Sequence, residues 1–239
     1  MKIIFSPAKT MDLTVLETGH CQMDDASRQI IAAVRSLDRD EVGLALKIKG
    51  ELLEQVYMNY QNFGEEIAPA IDLYAGMSFQ QLARSEKKVR QYLAEHLLIL
   101  SALYGPLRAD DMISPYRLDM QARIQLSDKS LVSYWREQFA ARFYERYASP
   151  DELIINLASQ EFSSLIPRSA DWLDIDIGKV VAGKIKRHST TAKKGRGLLL
   201  NEMARQQIEE IDELKKLNKT LKYRPEFSSE KSLFFSLEE

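Results

Sequence analysis

Three apolar runs in this chain break off into residues that can hold an anion or move a proton. "KIIF" (2–5) leads into Ser6, Pro7, Ala8, Lys9 and Thr10. "HLLIL" (96–100) leads into Ser101, Tyr104, Gly105 and Arg108, and "ELII" (152–155) into Asn156, Ser159 and Glu161. Ligands of open α/β sheets bind beyond the carboxyl ends of the strands. If the three runs are neighbouring parallel strands, Lys9, Arg108, Asn156, Ser159 and Glu161 converge. Lys and Arg there suit a phosphate, Arg with two oxygens at once. Asn156 and Glu161 are the candidate catalytic groups, the polar and acid–base pair needed by an enzyme acting on a nucleotide or a nucleic-acid base. The competing account is that strand ends carry polar loop residues whatever the function.

"SPYRLDM" (114–120) adds Tyr116 and Arg117 to the second of these segments. Pro106 stiffens the loop, and Pro115 biases Ser114 toward an extended backbone. Tyr104 and Tyr116 can stack on bases while Arg108 and Arg117 neutralise a phosphate backbone. The alternative is a rigid loop whose arginines pair with Asp110, Asp111 and Asp119. The strongest charge signal lies further on. The chain has a formal net charge of −2, yet residues 177–201 hold seven bases and no acid. Within them, "STTAKKGRGLLLNEM" (189–203) sets Lys193, Lys194 and Arg196 around Gly195 and Gly197. Glycines there let backbone N–H groups approach an anion, and the apolar run that follows suits a helix start. The expected partner is duplex DNA, bound through its phosphates, with a solvated basic face as the alternative. Neither G-x-x-x-x-G-K-[ST] nor G-x-G-x-x-G is present.

Residues 44–62 read as helix, tight turn and helix. That shape resembles a helix-hairpin-helix, which presents backbone N–H groups to a DNA phosphate. The usual hairpin has two glycines, and here Gly50 stands alone. His20, Cys21, Asp24 and Asp25 lie close together without a recognised ligand spacing, so no metal site and no cofactor is expected. No G-x-S-x-G occurs, and Cys21 has no base partner in sequence. Cys21 is the single cysteine, which excludes an internal disulfide and suits a reducing cytoplasm. No apolar run approaches the roughly 20 residues that cross a bilayer. The N-terminus is too short for a secretory h-region. A cytoplasmic location without a membrane partner follows.

The elements that position these residues interleave. The 239 residues are 45% hydrophobic and 28% charged, enough apolar material for a core without staples. The runs at 2–5, 96–105 and 152–159 read as buried strands. A further strand is expected over 68–76, others near 172–177 and 180–188, and a last one in "KSLFFSLE". Helices are expected over 23–37, in two pieces across 40–62, over 78–95, over 130–147 and over 197–217. Strands and helices alternate and short strands pair late, with no repeat or linker. The fold class is mixed α/β (α+β): a single domain, 1–239, with a mixed central sheet flanked by helices.

Four separated segments also carry a family resemblance. "SPAKTMD", "LSALYGPLRADDMISPYRLDM", "INLASQEF" and "KKGRG" resemble, in order and spacing, the YaaA-type peroxide-stress resistance family over residues 1 to about 205. The resemblance implies protection of the cell and its DNA during hydrogen peroxide stress by limiting free intracellular iron. It also implies DNA binding through a positively charged cleft and a helix-hairpin-helix on an unusual mixed α/β fold. Ser6, Pro7, Lys9 and Thr10 fall on the first segment. Tyr104, Gly105, Arg108, Pro115, Tyr116 and Arg117 fall on the second, Asn156, Ser159 and Glu161 on the third, and Lys193, Lys194, Arg196 and Gly197 on the fourth. After about residue 205 the chain is short and acidic, with "YRPEF" (223–227) where the family carries a glycine-containing aromatic segment.

Overall fold

The computed structural model describes residues 1–238. Main-sheet strands and helices of at least two turns are numbered here in chain order. The strands are β1 (Lys2–Phe5), β2 (Leu97–Ser101), β3 (Gly105–Arg108), β4 (Ile154–Leu157), β5 (Trp172–Val181), β6 (Lys184–Lys186), β7 (Leu221–Tyr223) and β8 (Ser232–Leu237). The helices are α1 (Asp25–Arg35), α2 (Arg39–Leu46), α3 (Glu51–Gln61), α4 (Lys87–His96), α5 (Leu131–Arg146) and α6 (Ser189–Gln206).

The sheet runs β7-β8-β5-β4-β1-β2-β3, with β6 paired to the outer end of β5. Its five inner strands are parallel, while β7 and β3 close the edges antiparallel. Parallel strands covered on both faces read as unbroken apolar runs. Accordingly every residue of β2 and β4 is buried, as are Ile3, Ile4 and Phe5 of β1. The three runs that end in polar residues are immediate neighbours, in register Ile4↔Leu98 and Ile4↔Asn156. α4 and α6 pack on each other, α6 over β5 and α4 over β2. Trp135 and Phe139 of α5 pack on Gly105, whose positive φ of 72° and contact with the Trp135 ring leave no room for a side chain. A small three-stranded sheet (Glu17–Thr18, Glu66–Pro69, Met112–Ile113) and a hairpin (Gln125–Leu126 with Lys129–Ser130) sit outside the main sheet.

Helix starts follow local chemistry. Asp24 accepts from the Ser27 N–H to cap α1, and Asp38 with Glu41 forms a capping box on α2. Four boundaries differ from expectation. The strand over 68–76 is only Glu66–Pro69 and passes directly into a helical turn, Ala70–Leu73. Of 78–95, Phe79–Gln81 is a 3₁₀ turn and α4 starts only at Lys87. The paired strands at 172–188 form one long strand, β5, and a tight hairpin into β6. α6 begins at Ser189 rather than 197 and stops at Gln206, with a separate turn at Ile211–Leu214.

Candidate functional site

A cavity of about 350 Å³ opens beyond the carboxyl ends of β1 and β4. β1 and β4 are tied there by one hydroxyl, since Ser6 Oγ accepts from the Ser159 N–H at 2.8 Å and bonds Ser159 Oγ at 3.2 Å. The wall takes Lys9 from the segment after β1, Arg117 and Asp119 from the 114–120 loop, Ser159 and Glu161 from the segment after β4, and Lys193 and Arg196 from α6. Phe5, Phe79, Leu157 and Phe162 give it an apolar side. A second cavity of about 260 Å³ shares Lys9, Thr10, Tyr116 and Arg117 with the first and continues to Leu52, Gln55 and Asn59 of α3. A groove therefore runs from the strand ends to the helix pair. α2 and α3 are joined through Lys47 and Gly50, both at positive φ (55° and 63°), with Lys47 and Lys49 exposed.

The charges on this wall differ in how they are held. Lys9 Nζ lies 2.7 Å from Asp119 Oδ2 in an exposed pair. Glu161 has its carboxyl pushed up from the ordinary value, first by burial and then by Asp119, while Lys9 and Lys193 pull it down. Arg196 is different. Its Nε is shut away from solvent without a hydrogen-bond partner, and among the described residues no carboxylate lies within 4.0 Å of it. Burial lowers the pKa of its guanidinium, with only the attraction of Asp176 opposing. Asp176 is already occupied by Arg187, whose Nε and Nη2 donate to it at 2.9 and 2.6 Å.

Several expected site residues go elsewhere. Arg108 pairs with Leu98 near the amino end of β2, at the far end of the sheet from the cavity. Tyr104 and Tyr116 are core residues, each 6% exposed, and of the two only Tyr116 touches the cavities. Tyr116 Oη bonds Tyr74 Oη and Ser101 Oγ, both at 2.7 Å. Tyr104 Oη accepts from the Ser114 N–H at 3.0 Å. Asn156 is buried and donates to Asp174 Oδ1 at 2.7 Å while accepting from the Ala158 N–H at 3.0 Å. Lys194 is exposed on α6 outside the cavity wall.

Gly195 and Gly197 form no anion loop, because they lie inside α6, where backbone N–H groups are spent on helical bonds. They are there for contact. A Cβ on Gly195 would sit 2.5 Å from Ile177 Cγ2, and one on Gly197 would overlap the carbonyl oxygen of Ser78. Ser78 Oγ in turn donates to the Lys193 carbonyl at 2.8 Å. Sequence reading missed the part played here by Ser78, Phe79, Thr190 and Asp119. Asp119 lay in view inside "YRLDM", but nothing local in the sequence links it to Lys9.

The chain is by class a parallel-core α/β domain whose bases gather at the carboxyl ends of its strands. The chain is more particular than that, for residues 1–227 match the family model described as peroxide stress protein YaaA. It is 34% identical over 227 residues to a UPF0246 protein of Fusobacterium nucleatum, covering 91% of this chain and 90% of that one. It is 31% identical over 256 aligned positions to a UPF0246 protein of Francisella tularensis subsp. novicida, covering 99% and 100%. The chain belongs to the YaaA peroxide stress protein family. The match runs beyond residue 205 to include "YRPEF". No helix among the described residues is long and apolar enough to cross a membrane, and no three His, Cys, Asp or Glu side chains among them are grouped to hold a metal ion.

Proposed function

We propose that this member of the peroxide stress family binds duplex DNA through its phosphates and acts in the response to hydrogen peroxide, limiting oxidative DNA damage and free intracellular iron. The observation that carries the reading is charge gathered by the fold. A net-acidic chain brings Lys9, Arg117, Lys193 and Arg196, from three distant segments, onto one cavity wall.

Two neighbours support it. β5 continues past the level where β4 ends and pairs there with β6 through a turn in which Ala182 and Gly183 both have positive φ. Cross-strand partners share a face of a ribbon, so the register Lys179↔Lys186 and Val181↔Lys184 sets three lysines on one side. The groove from the cavity leads to α3, at whose start Gly50 offers the hairpin of a helix-hairpin-helix. About four phosphate contacts predict a slope of log K against log salt near −3.6. Retention of a labelled duplex between low and moderate salt measures it, and a flat salt dependence sinks the electrostatic reading.

A second reading, an enzyme acting on a nucleotide or a base, is favoured by Glu161. A carboxyl whose proton affinity is raised by burial and by Asp119 beside a cavity suits proton transfer.

A further inference from the structure

We infer that the cavity at the strand ends is a site for one nucleoside monophosphate unit, with Arg196 as its phosphate receptor. The inference deepens the nucleic-acid reading and rests on it for the source of the nucleotide within a strand.

Arg196 carries the argument. A buried charge is costly unless something pairs with it, and Arg remains charged inside proteins. Its neighbours offer no release, because Asp176 is engaged by Arg187 and no other carboxylate among the described residues is within ion-pair distance. The guanidinium lines a cavity that opens to solvent. A half-buried guanidinium on the wall of such a space, with its Nε unpaired, suits an anionic oxygen cluster, which a planar fork of donors can bind at two oxygens.

The remaining wall specifies more than an inorganic anion. Glu161, Asp119, Lys9 and Lys193 form a separate electrostatic neighbourhood, each acting on Glu161, whereas Arg196 feels only Asp176. Phe5, Phe79, Leu157 and Phe162 supply apolar surface to the same space. The ligand therefore has an anionic group, a second polar edge that donates and accepts hydrogen bonds, and a largely apolar body. A phosphate, a base edge and a heterocycle meet that description. The volume of about 350 Å³ lies at the small end of the roughly 300–1,000 Å³ of ligand sites. It admits one unit and not a double helix. From a duplex, a nucleotide would have to leave the stack, which is easiest for damaged or mispaired bases.

Three probes test this: free 2-aminopurine deoxyriboside 5′-monophosphate, the same nucleoside without phosphate, and a duplex carrying one 2-aminopurine, whose fluorescence rises on leaving the stack. The intact protein is expected to bind the monophosphate at least tenfold more tightly than the nucleoside. Arg196→Gln is expected to shrink that preference to under about threefold. Glu161→Gln should alter the choice among bases and leave the phosphate preference in place. Fluorescence that rises when the duplex binds, and does not rise with Arg196→Gln, makes the strand the source. Binding of the free monophosphate with no rise makes the source a free nucleotide. If Arg196→Gln does not fold, the Nε–H resonance of Arg196 in the unaltered protein decides, and it should move with the monophosphate and stay still with the nucleoside. A phosphate preference absent from the intact protein, or unchanged in a folded Arg196→Gln, overturns the inference. A duplex that is never retained at any salt overturns the DNA reading alone, and the free nucleotide still decides this one.

Discussion

Two polar clusters rest against the same strand, β5, and are built in opposite ways. In the first, Asp174 Oδ1 accepts from Asn156 Nδ2 at 2.7 Å and from Trp172 Nε1 at 2.9 Å, while Oδ2 lies 2.9 Å from Arg168. Arg168 also sits 5.5 Å above the Trp172 ring. Nearly every donor and acceptor is used within the chain. In the second, two residues further along β5, Asp176 is taken up by Arg187, and Arg196 is left half-buried with its Nε unpaired. A saturated cluster has nothing left to offer a ligand and reads as scaffold. An unsaturated one holds bonding capacity in reserve, at a cost to the fold that only a ligand removes. Asn156, a catalytic candidate on sequence grounds, belongs to the scaffold by this criterion. By the same criterion Arg196 is grouped with the proposed site.

The largest expected effect tests the saturated side. Asp174→Ala strands the buried Asn156 amide and Trp172 indole at once and should cost about 3 kcal/mol. At ~2–4 °C per kcal/mol for a chain of this size, thermal melting should fall by about 6–12 °C. Duplex retention measured below the melting point should be unchanged. Retention lost while the fold survives would place Asp174 in the site and break the comparison.

Gly197→Ala comes next. Overpacking against the Ser78 carbonyl costs about 1–3 kcal/mol, and the better helix propensity of Ala returns about 1 kcal/mol. Chemical denaturation should show a net loss near 1 kcal/mol. A net gain would mean that α6 can shift away from Ser78.

Arg196→Met sharpens the contrast from the unsaturated side. Removing a half-buried, unpaired charge in favour of an apolar chain of similar length should leave stability within about 1 kcal/mol of the parent, or raise it. Monophosphate binding should be lost. A destabilisation as large as that of Asp174→Ala would show that Arg196 is scaffold too.

The smallest effect concerns Glu161 and pH. Its folded carboxyl is raised above the ordinary 4.5, so the folded state binds the proton more tightly than the unfolded state does. Stability from this group is therefore present at pH values below 4.5 and declines as pH rises through the folded value. Glu161→Gln should melt slightly higher than the parent at neutral pH, with the gain vanishing in acid. A gain that persists unchanged in acid would assign it to something other than ionisation.

Much of the scaffold was legible because its signals are local. "KIIF", "HLLIL" and "ELII" are buried runs, and burial on both faces leaves that signature whatever the partners are. α1 and α2 lie where helices are expected, over 23–37 and 40–62, although the caps at Asp24 and Asp38 became visible only in the structure. The clustering of bases at 177–201 was also plain. Less legible were elements decided by packing. "APAIDLYAG" turns helical after Pro69 although its composition allows a strand, and its Ala70 and Ile71 N–H groups bond Asp111 and Ala109 carbonyls far along the chain. Tyr104 and Tyr116 look like stacking residues in a polar loop, yet the loop folds inward and joins them to Tyr74 and Ser101.

The sequence by itself determined the apolar strands, the order of the motifs, the local charge excess and the family. Each depends on residue type and spacing, which the chain carries without folding. Tertiary structure alone decided that the strands ending in Phe5 and Leu157 lie side by side, so that Lys9, Ser159 and Glu161 meet. It alone decided that "KKGRG" is a helix interior, because Gly197 is needed where α6 touches Ser78. It alone separated Asn156 from Arg196. Whether a polar group is satisfied depends on what stands within about 3 Å of it, and those neighbours come from segments too distant in sequence for any spacing to record.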